Sequence, residues 1–466
     1  MSYGARYDSG VEAFFSGSYY DSGGQNLFYP EFDSPATNNG WARGADGDSF
    51  GRLFGKVSFG NCRVEAGYSS RDKEIPTASF GTDFNDSREK TVDERGFLDL
   101  RYDREVGLKS RLVGSVSYDG YWYKGAYPYT GNLSRDFGYG QWWTAEAQSI
   151  TTLRDRHKVI GGAEVRYNTQ QDQGYYDTSP YFLYLDDRRQ TSFRALYVQD
   201  EYRARDNLIV NIGVRHDNYE TFGGTTNPRL GVIYAVRPAT TLKFLYGQAF
   251  RAPNTYELYY DDGGISQKAN PALEPETIRT YEIALERTIH TRLRTVASVY
   301  RYSINNLITL MTDPLDGLDV FNNVDRVKAQ GVELEMEGSF ARFLEGRVSY
   351  ALQKSEDATT GATLTNSPRH LAKANLTVPF RGDRLLASLE AQYTSARMTL
   401  SGEPAGGFTV ANVTLLTRSW KAGPALSLSV FNLFDKRYGD PGGTEHVQSL
   451  IPQDGRSFRV QVRYEF

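Results

Sequence analysis

Polar and apolar side chains alternate with a period of two over the last ten residues of the chain. The apolar or aromatic positions are Phe458, Val460, Val462, Tyr464 and Phe466, and every residue between them is polar. In an extended strand this order puts the apolar side chains on one face and the polar ones on the other. The pattern therefore predicts a β-strand that meets lipid on one face and water on the other.

The same alternation recurs upstream, for example over residues 208–214, 344–352 and 385–393, and the whole chain predicts about twenty such strands. Residues 332–337 place three glutamates on one face. A water-filled lumen tolerates those charges, whereas the dry core of a β-sandwich would not. We therefore expect an all-β fold, a transmembrane antiparallel β-barrel.

Connections between the predicted strands tend to alternate between short and long. Short ones lie around Asp206, at Arg237 and Pro238, and at His290. The predicted long ones are residues 21–48, 71–92, 124–137, 169–189, 251–276, 305–323 and 435–455. Short periplasmic turns and long external loops are typical of outer-membrane barrels. If the strand ending at Phe466 finishes in the periplasm, every long connection lies outside the cell.

Composition agrees with this interpretation. The chain has 45 glycines, 33 tyrosines and 25 phenylalanines but only 4 methionines and 5 histidines. This composition favours strands and turns over helices. Mean hydropathy is -0.54, and no window approaches the roughly 18 apolar residues of a transmembrane helix. A barrel strand shows lipid only every second side chain, so low hydropathy is compatible with a membrane barrel. A soluble propeller would show a repeat of about 40 to 50 residues, which the sequence lacks.

Charge and reactive residues limit the possible chemistry. The net charge of -4 offers no broad basic surface, so no nucleic-acid partner is expected. The single cysteine, Cys62, cannot form an internal disulfide or a thiolate metal site. The five histidines have no metal-binding spacing, and no catalytic constellation stands out. We expect neither an enzyme nor a bound metal or cofactor.

Several motifs occur together in a specific order. They are GQAFRAPNTYEL at 247–258, NPALEPE at 270–276, NLFDKRY at 432–438 and the terminal aromatic strand, with IPTASFGTDFND at 75–86. In spelling and order they resemble the barrel of TonB-dependent outer-membrane receptors. The resemblance covers essentially the whole of residues 1–466.

This resemblance implies an outer-membrane protein of a Gram-negative bacterium, a monomer among lipopolysaccharide. The family barrel has about 22 strands and holds an N-terminal plug that binds the TonB complex. Residues 1–10 show no signal peptide, and no plug segment is recognised in 1–466. We therefore expect one barrel domain over 1–466, with about 20 strands, a possible hairpin remnant at 2–7, and no plug.

The terminal strand has a second predicted role. The resemblance to outer-membrane barrels implies that the chain presents a terminal aromatic residue and alternating apolar residues to the barrel insertion machinery. The residues that fit this signal are Val460, Val462, Tyr464 and Phe466. They would also face lipid.

The predicted external loops carry aromatic and arginine residues suited to a ligand. Aromatic rings stack on flat groups, and arginine binds carboxylate or catecholate oxygens in a planar arrangement. The candidates are Arg71, Tyr127, Trp142, Tyr176, Arg251 and Tyr256. The simpler interpretation of the aromatic residues places them in the girdle at the membrane interface. The simpler interpretation of residues 251–254 is that they end a strand. Residues 254–269 contain no histidine, where haem-uptake members carry one, so haem is not expected.

Two acidic pairs, at 186–187 and 261–262, suit a calcium ion or, more simply, a solvated loop. The leading functional hypothesis is active uptake of a scarce, bulky nutrient such as a ferric siderophore or cobalamin. A barrel without its plug would instead be a wide passive pore. An adhesin or phage-docking surface would bind through the loops without uptake.

Overall fold

The computed structural model describes residues 1–290, 292–341, 343–380, 384–417 and 423–464. Within these residues, 21 strands form one antiparallel sheet in which each strand pairs with its neighbours in sequence. The strands are β1 Ser2–Arg6, β2 Glu12–Ser22, β3 Asp48–Phe59, β4 Cys62–Glu74, β5 Lys90–Val106, β6 Ser110–Tyr129, β7 Asn132–Leu153, β8 His157–Thr178, β9 Tyr181–Arg205, β10 Leu208–Tyr219, β11 Gly223–Arg237, β12 Thr240–Arg251, β13 Glu276–Ile289, β14 Leu293–Thr312, β15 Asp319–Ala341, β16 Leu344–Asp357, β17 His370–Phe380, β18 Leu385–Thr394, β19 Phe408–Thr417, β20 Ala425–Phe431 and β21 Ser457–Arg463.

Short helices and ladders lie in the long connections between these strands. They are the α-helix α1 at Thr255–Tyr259, the 3-10 helices Pro30–Phe32, Pro35–Gly40 and Ser79–Gly81, and three two-stranded ladders, Leu27–Phe28 with Trp41–Ala42, Arg397–Met398 with Pro404–Ala405, and Gly439–Pro441 with Leu450–Pro452. No helix among the described residues is long and apolar enough to cross a membrane.

Strand register aligns the alternating pattern from one strand to the next. Val299 lies opposite Val332, which in turn lies opposite Leu352, and all three side chains point to the outer face. The apolar side chains on this face are widely exposed, including Val299 at 57% and Leu196 at 67%. A continuous exposed apolar belt in a sheet of this size is the lipid-facing surface of a membrane barrel.

The opposite face is polar and holds a row of ion pairs. Lys243 on β12 bonds Glu286 on β13 at 2.6 Å, and Arg294 on β14 bonds the same carboxylate at 3.1 Å. Arg294 also lies 3.9 Å from Glu335 on β15, which pairs with Arg347 on β16. Charges in such a row need water or partners on the inner side, so this face lines a hydrated lumen.

Aromatic rings mark the upper limit of the apolar belt. The outward rings of Tyr118 and Trp143 lie 4.9 Å apart, and Tyr167 is opposite Trp143 in register. Tyr246 and Tyr281 form a similar outward pair at 5.1 Å. Rings at this level are typical of a membrane–water interface. Strands β6 to β9 continue well beyond this girdle into the external water.

That extension corrects part of the loop prediction. Residues 124–137 and 169–189 were expected as long loops, but β6 runs to Tyr129 and β8 to Thr178, each followed by a tight hairpin. The expected loop at 305–323 is likewise shortened to the segment between Thr312 and Asp319. Above the girdle no strand face meets lipid, so the alternation that marks a membrane strand is lost.

The two ends of the sheet come together at the rim. Gln25, after β2, donates to Asp454, just before β21, at 2.6 Å. Gln448 donates to the carbonyl of Thr77 at 2.9 Å. These contacts between opposite ends of the sheet follow if the sheet curves round as a barrel wall.

Strand number and the terminal strand compare well with the sequence. The count of 21 is close to the expected twenty, and the predicted remnant at 2–7 forms β1, which pairs with residues 12–16. Val460, Val462 and Tyr464 are 67%, 65% and 61% exposed on the outer face. Phe466 lies outside the described residues. The role of these four residues in membrane insertion stays a prediction.

Replacing a belt residue by arginine should destabilise the barrel. Val299→Arg puts a charge against the hydrocarbon, at a cost of about 2–4 kcal/mol near the bilayer midplane. The matched control is Glu333→Arg, on the adjacent strand and the lumenal face. Because water solvates that position, the free energy of unfolding of the Glu333→Arg variant should stay near the parent value. Urea unfolding in lipid vesicles measures both, and equal losses would contradict the assigned faces.

Candidate ligand-binding site at the barrel rim

Two hairpins stand above the girdle on one side of the barrel. The hairpin of β6 and β7 turns at Thr130 and Gly131, where Gly131 has a φ of 84°, a conformation that favours glycine. On the inner face of β6, Tyr121, Tyr123 and Tyr127 are separated by steps of two and four residues, with Gly125 in the gap. Period-two geometry therefore presents three rings to the lumen from a single strand.

The loop between β4 and β5 packs against this hairpin. The backbone N–H of Asp83 donates to the carbonyl of Pro128 at 2.8 Å, and the N–H of Phe80 donates to the carbonyl of Glu445 at 2.8 Å. Inside the loop, the buried Glu89 carboxylate accepts from Thr82 at 2.7 Å and from the Ser79 hydroxyl. The loop is thus held between the hairpin and the last external loop.

A third loop brings in helix α1. Asn254 caps the helix by accepting from the N–H of Glu257 at 2.9 Å, while the Glu257 carboxylate accepts from the N–H of Asn254 at 2.9 Å. Gln171 on β8 donates to the hydroxyl of Thr255 at 3.0 Å. These bonds hold α1 against the wall, with the ring of Tyr256 half-exposed beside the hairpins.

Together these elements line an open cavity of about 660 Å3, called here the rim cavity. Its lining is rich in aromatic rings and holds three ionisable groups other than tyrosine. The lining residues are Ile75, Ser79, Phe80, Thr91, Tyr121, Tyr123, Tyr127, Asp136, Phe137, Gly138, Gln173, Gly174, Tyr256, Tyr260, Glu445 and His446. A cavity of this size suits a drug-sized molecule or one arm of a larger ligand.

Asp136 on β7 is the most perturbed acid of the rim cavity. It lies opposite Gly125 in register, and a Cβ at Gly125 would stand 2.1 Å from its Oδ1, so only glycine leaves room for the carboxylate. Asp136 lies seven residues beyond Trp143 on β7, outside the membrane. Burial among the rings raises the pKa of Asp136 to about 6.

Two of the six predicted ligand residues lie in the rim cavity. Tyr127 bonds the hydroxyl of Tyr123 at 2.6 Å and contacts Phe80 edge-on at 5.8 Å. Tyr256 bonds Gln267 at 3.1 Å and contacts Phe321 at 5.6 Å. The structure thus brings Tyr127 and Tyr256 together from elements far apart in sequence.

Trp142 and Tyr176 lie elsewhere on the extended hairpins. Trp142 faces the lumen below the rim cavity, with the guanidinium of Arg166 at 5.7 Å from its ring. Tyr176 lies on the outer face, 5.9 Å from Tyr181. Neither lines the rim cavity, and their ligand contacts stay predictions.

Both arginine candidates are already paired with carboxylates. Arg71 forms a two-bond pair with Asp48 at 2.7 and 2.8 Å. Arg251 forms a two-bond pair with Glu276 at 2.7 Å and bonds Glu257 at 2.9 Å. The structure thus favours the simpler interpretation of Arg251, a residue that anchors the end of a strand to α1.

Loop acids first considered for calcium have protein partners. Asp186 and Asp187 pair with Arg188 and Arg189 at 3.0 and 2.9 Å. Asp262 accepts from the backbone N–H of Ile265 at 2.9 Å. In the part of the chain that is described, no group of three or more His, Cys, Asp or Glu residues is placed to hold a metal.

Comparison with known proteins places the chain in a family. A family model described as TonB dependent receptor-like, beta-barrel, matches residues 13–433. The chain belongs to this family. It is an integral β-barrel protein of the outer membrane, and the barrel described above is a TonB-dependent receptor barrel.

Relatives of this receptor barrel cover only part of its length. The vitamin B12 transporter BtuB of Vibrio vulnificus strain YJ016 is 26% identical over 280 residues, which are 59% of this chain and 42% of the relative. The ferric enterobactin receptor of Pseudomonas aeruginosa is 23% identical over 316 residues, 58% of this chain and 42% of the relative. The chain spans less than half the length of these two relatives.

Solved structures share the fold of the receptor barrel. A mutant ferric enterobactin receptor of Pseudomonas aeruginosa superposes with a TM-score of 0.79 at 15% identity, covering 99% of this chain and 76% of that one. The unliganded ferric citrate transporter FecA gives 0.77 at 14% identity, covering 99% and 74%. At these identities the likeness concerns the fold alone.

Sequence reasoning missed Asp136, Tyr121, Tyr123, Tyr260 and His446. The three inner tyrosines of β6 do alternate with other residues, and that spacing was a usable signal. The prediction of a loop at 124–137 ends the strand before Tyr127 and hides this spacing. The contributions of Tyr260 and His446 depend on contacts between distant loops and left no local pattern.

Removing the Arg251 guanidinium should loosen the third loop. In Arg251→Met, the carboxylates of Glu276 and Glu257 lose their partner, and we expect a cost of about 1–2 kcal/mol, discounted because Arg251 is 44% exposed. Protease cleavage within residues 252–275 should be faster. Arg71→Met, which breaks a similar two-bond pair, is the matched control and should leave this cleavage unchanged.

The effect should depend on pH. Burial opposes ionisation of Glu276, but the Arg251 pair and the N–H of Ile308 outweigh it and hold the pKa of Glu276 below its ordinary value. The ion pair therefore stabilises the fold fully at pH values above the ordinary pKa of a glutamate. Its contribution is lost as the pH falls through the lowered pKa of Glu276. A cleavage difference that persisted in full under strongly acidic conditions would contradict the assignment.

Proposed function

We propose that this barrel is the membrane part of an outer-membrane transporter that takes up a scarce, bulky nutrient, a ferric siderophore or cobalamin. The observation that carries the proposal is the rim cavity. Three external loops and two extended hairpins are fastened together by specific hydrogen bonds above a hydrated lumen. A passive sieve has no need of such an aromatic-lined cavity at its external opening.

The lumen supports the transport route. A second cavity of about 1010 Å3 begins at the rim beside Asp454 and lies against the inner wall of the last strands, among Lys373, Glu390, Asn412 and Arg459. Polar walls of this kind allow a large hydrophilic ligand to pass without crossing hydrocarbon. The names of the relatives, a vitamin B12 transporter and a ferric enterobactin receptor, support the same nutrient classes.

Active uptake through this barrel further requires a plug that closes the lumen and couples it to the TonB complex. We propose that a plug acts with residues 1–466, that the receptor is a monomer among lipopolysaccharide, and that it catalyses no reaction. The family membership of the barrel supports this arrangement.

Uptake by cells tests the proposal. A strain lacking the full-length receptor should lose growth on one ferric siderophore, or on cobalamin, as sole source. Restoring the receptor with Tyr127→Leu and Tyr256→Leu together should lower uptake about tenfold, because each ring contact contributes roughly 0.5–1.5 kcal/mol. The control is Tyr167→Leu, which removes a ring of the outer girdle. Growth unaffected on every source would refute the nutrient role.

A passive pore is the second candidate, favoured by the polar lumen with its row of ion pairs. Residues 1–466 in a planar bilayer should then conduct ions through an open lumen, whereas the full receptor with a plug should be closed. If the full receptor also conducted and nutrient uptake were absent, the passive pore would replace the transporter. Ligand capture without uptake or conductance would instead favour a docking surface.

A further inference from the structure

We propose that the rim cavity binds a cationic group of the transported ligand, an amine or a quaternary ammonium. This inference rests on the proposed function, because it specifies the ligand of the same site. It also changes the expected recognition chemistry, which on sequence grounds was arginine binding to an anionic siderophore.

The first support is the aromatic wall. Rings from β6, the loop after β4 and helix α1 face one volume, with Tyr127, Tyr256 and Phe80 as examples from the three elements. The negative face of an aromatic ring attracts a cation that lies within about 6 Å of its centroid. Several rings round one volume form a cage of the kind that holds quaternary ammonium groups.

The tyrosine hydroxyls are largely committed to protein partners. Tyr123 and Tyr127 bond each other at 2.6 Å, Tyr121 donates to Asp93 at 2.5 Å, and Tyr256 donates to Gln267 at 3.1 Å. The ring faces are therefore the surface left for a ligand, with Tyr121 and Tyr256 offering the most exposed area at 37% and 46% and Tyr127 the least at 8%. Ring faces favour cations and flat apolar groups over anions.

The charges of the lining point the same way. Its acids are Asp136 on β7 and Glu445 on the last loop, and the Glu445 carboxylate lies 3.2 Å from the imidazole of His446. Within the described residues, the lining includes no arginine or lysine. An anionic ligand would meet carboxylates without a compensating guanidinium, whereas a cation would meet both carboxylate and ring.

Small probes separate charge from shape. Choline and its uncharged isostere 3,3-dimethylbutan-1-ol have nearly the same size, and saturation-transfer NMR can titrate each against the full-length receptor in detergent micelles. We expect choline to bind about tenfold tighter, the scale of one desolvated cation–aromatic contact. Equal binding of the two probes, or no binding of choline, would overturn the inference. This comparison needs no variant.

Variants then locate the binding. Asp136→Asn keeps the shape of the side chain and removes its charge, and we expect choline to bind about fivefold more weakly with the isostere unchanged. The matched control is Asp8→Asn, which removes the same charge from an exposed turn at the other end of the barrel. Tyr127→Leu should weaken choline binding, since it removes a ring. An equal loss in the Asp8 variant would overturn the assignment to the rim cavity.

The pH dependence gives an independent readout. Asp136 faces Tyr123, Tyr127 and the backbone of Gly125. The other titratable groups at or next to the cavity are Tyr121, Tyr256, Tyr260, Glu445, His446, Glu89 and Asp93, which accepts from Tyr121. With its pKa raised to about 6, Asp136 is ionised above pH 6 and neutral below it. Choline affinity in the parent should therefore fall between pH 7.5 and pH 5.

Protonation of His446 would lower choline affinity in the same direction, so a His446→Gln variant is needed. If the pH dependence survives in His446→Gln and disappears in Asp136→Asn, Asp136 is the responsive group. The reverse result would overturn its role. If the receptor takes up a ferric siderophore but does not bind choline, the cation inference alone is refuted. If it binds choline but takes up no nutrient, only the proposed transport is refuted.

Discussion

Every backbone amide and carbonyl inside the hydrocarbon must be satisfied by the chain itself, and this constraint organises the rest of the structure. Among the described pairings, irregularities in register lie beside the lower turns, as at residues 203–205, or above the girdle, as at residues 168–171 and 304–307. The lipid-facing belt between them keeps an uninterrupted ladder. In an uninterrupted ladder, successive side chains point to opposite faces of the sheet. This alternation separates the lipid face from the lumenal face.

Above the girdle the constraint relaxes, because water can satisfy the backbone, and the strands use that freedom to build the site. On β8 the odd-numbered residues point outward up to Tyr167. The bulge after Asn168 reverses the phase, so that Gln171 and Gln173 point inward toward α1. A bulge at this level costs little in hydration and redirects a whole strand end. The rim cavity depends on this change of phase as much as on the loops.

The same physics sets what could be predicted from the sequence. The belt strands were predictable because lipid imposes a strict alternation, as over residues 458–464. The upper ends of β6 and β8 are predicted as loops because lipid no longer imposes an alternation there. Tyr127 and Tyr256 were found from residue type and position, but their common cavity was not foreseeable. It depends on contacts such as that between Thr77 and Gln448, which are 371 residues apart.

The two predicted arginines are held by acids of the fold itself. Arg71 and Arg251 suggested an anion-binding mouth, yet each guanidinium is bonded to carboxylates that belong to the fold. A guanidinium that already has two bonds to a carboxylate offers an anionic ligand little further attraction, because binding it would break that pair. What is left to select a ligand is the balance of groups without such partners. At the rim cavity these groups are ring faces and the carboxylates of Asp136 and Glu445. The proposed ligand chemistry therefore rests on the geometry of the cavity rather than on the residue types of its loops.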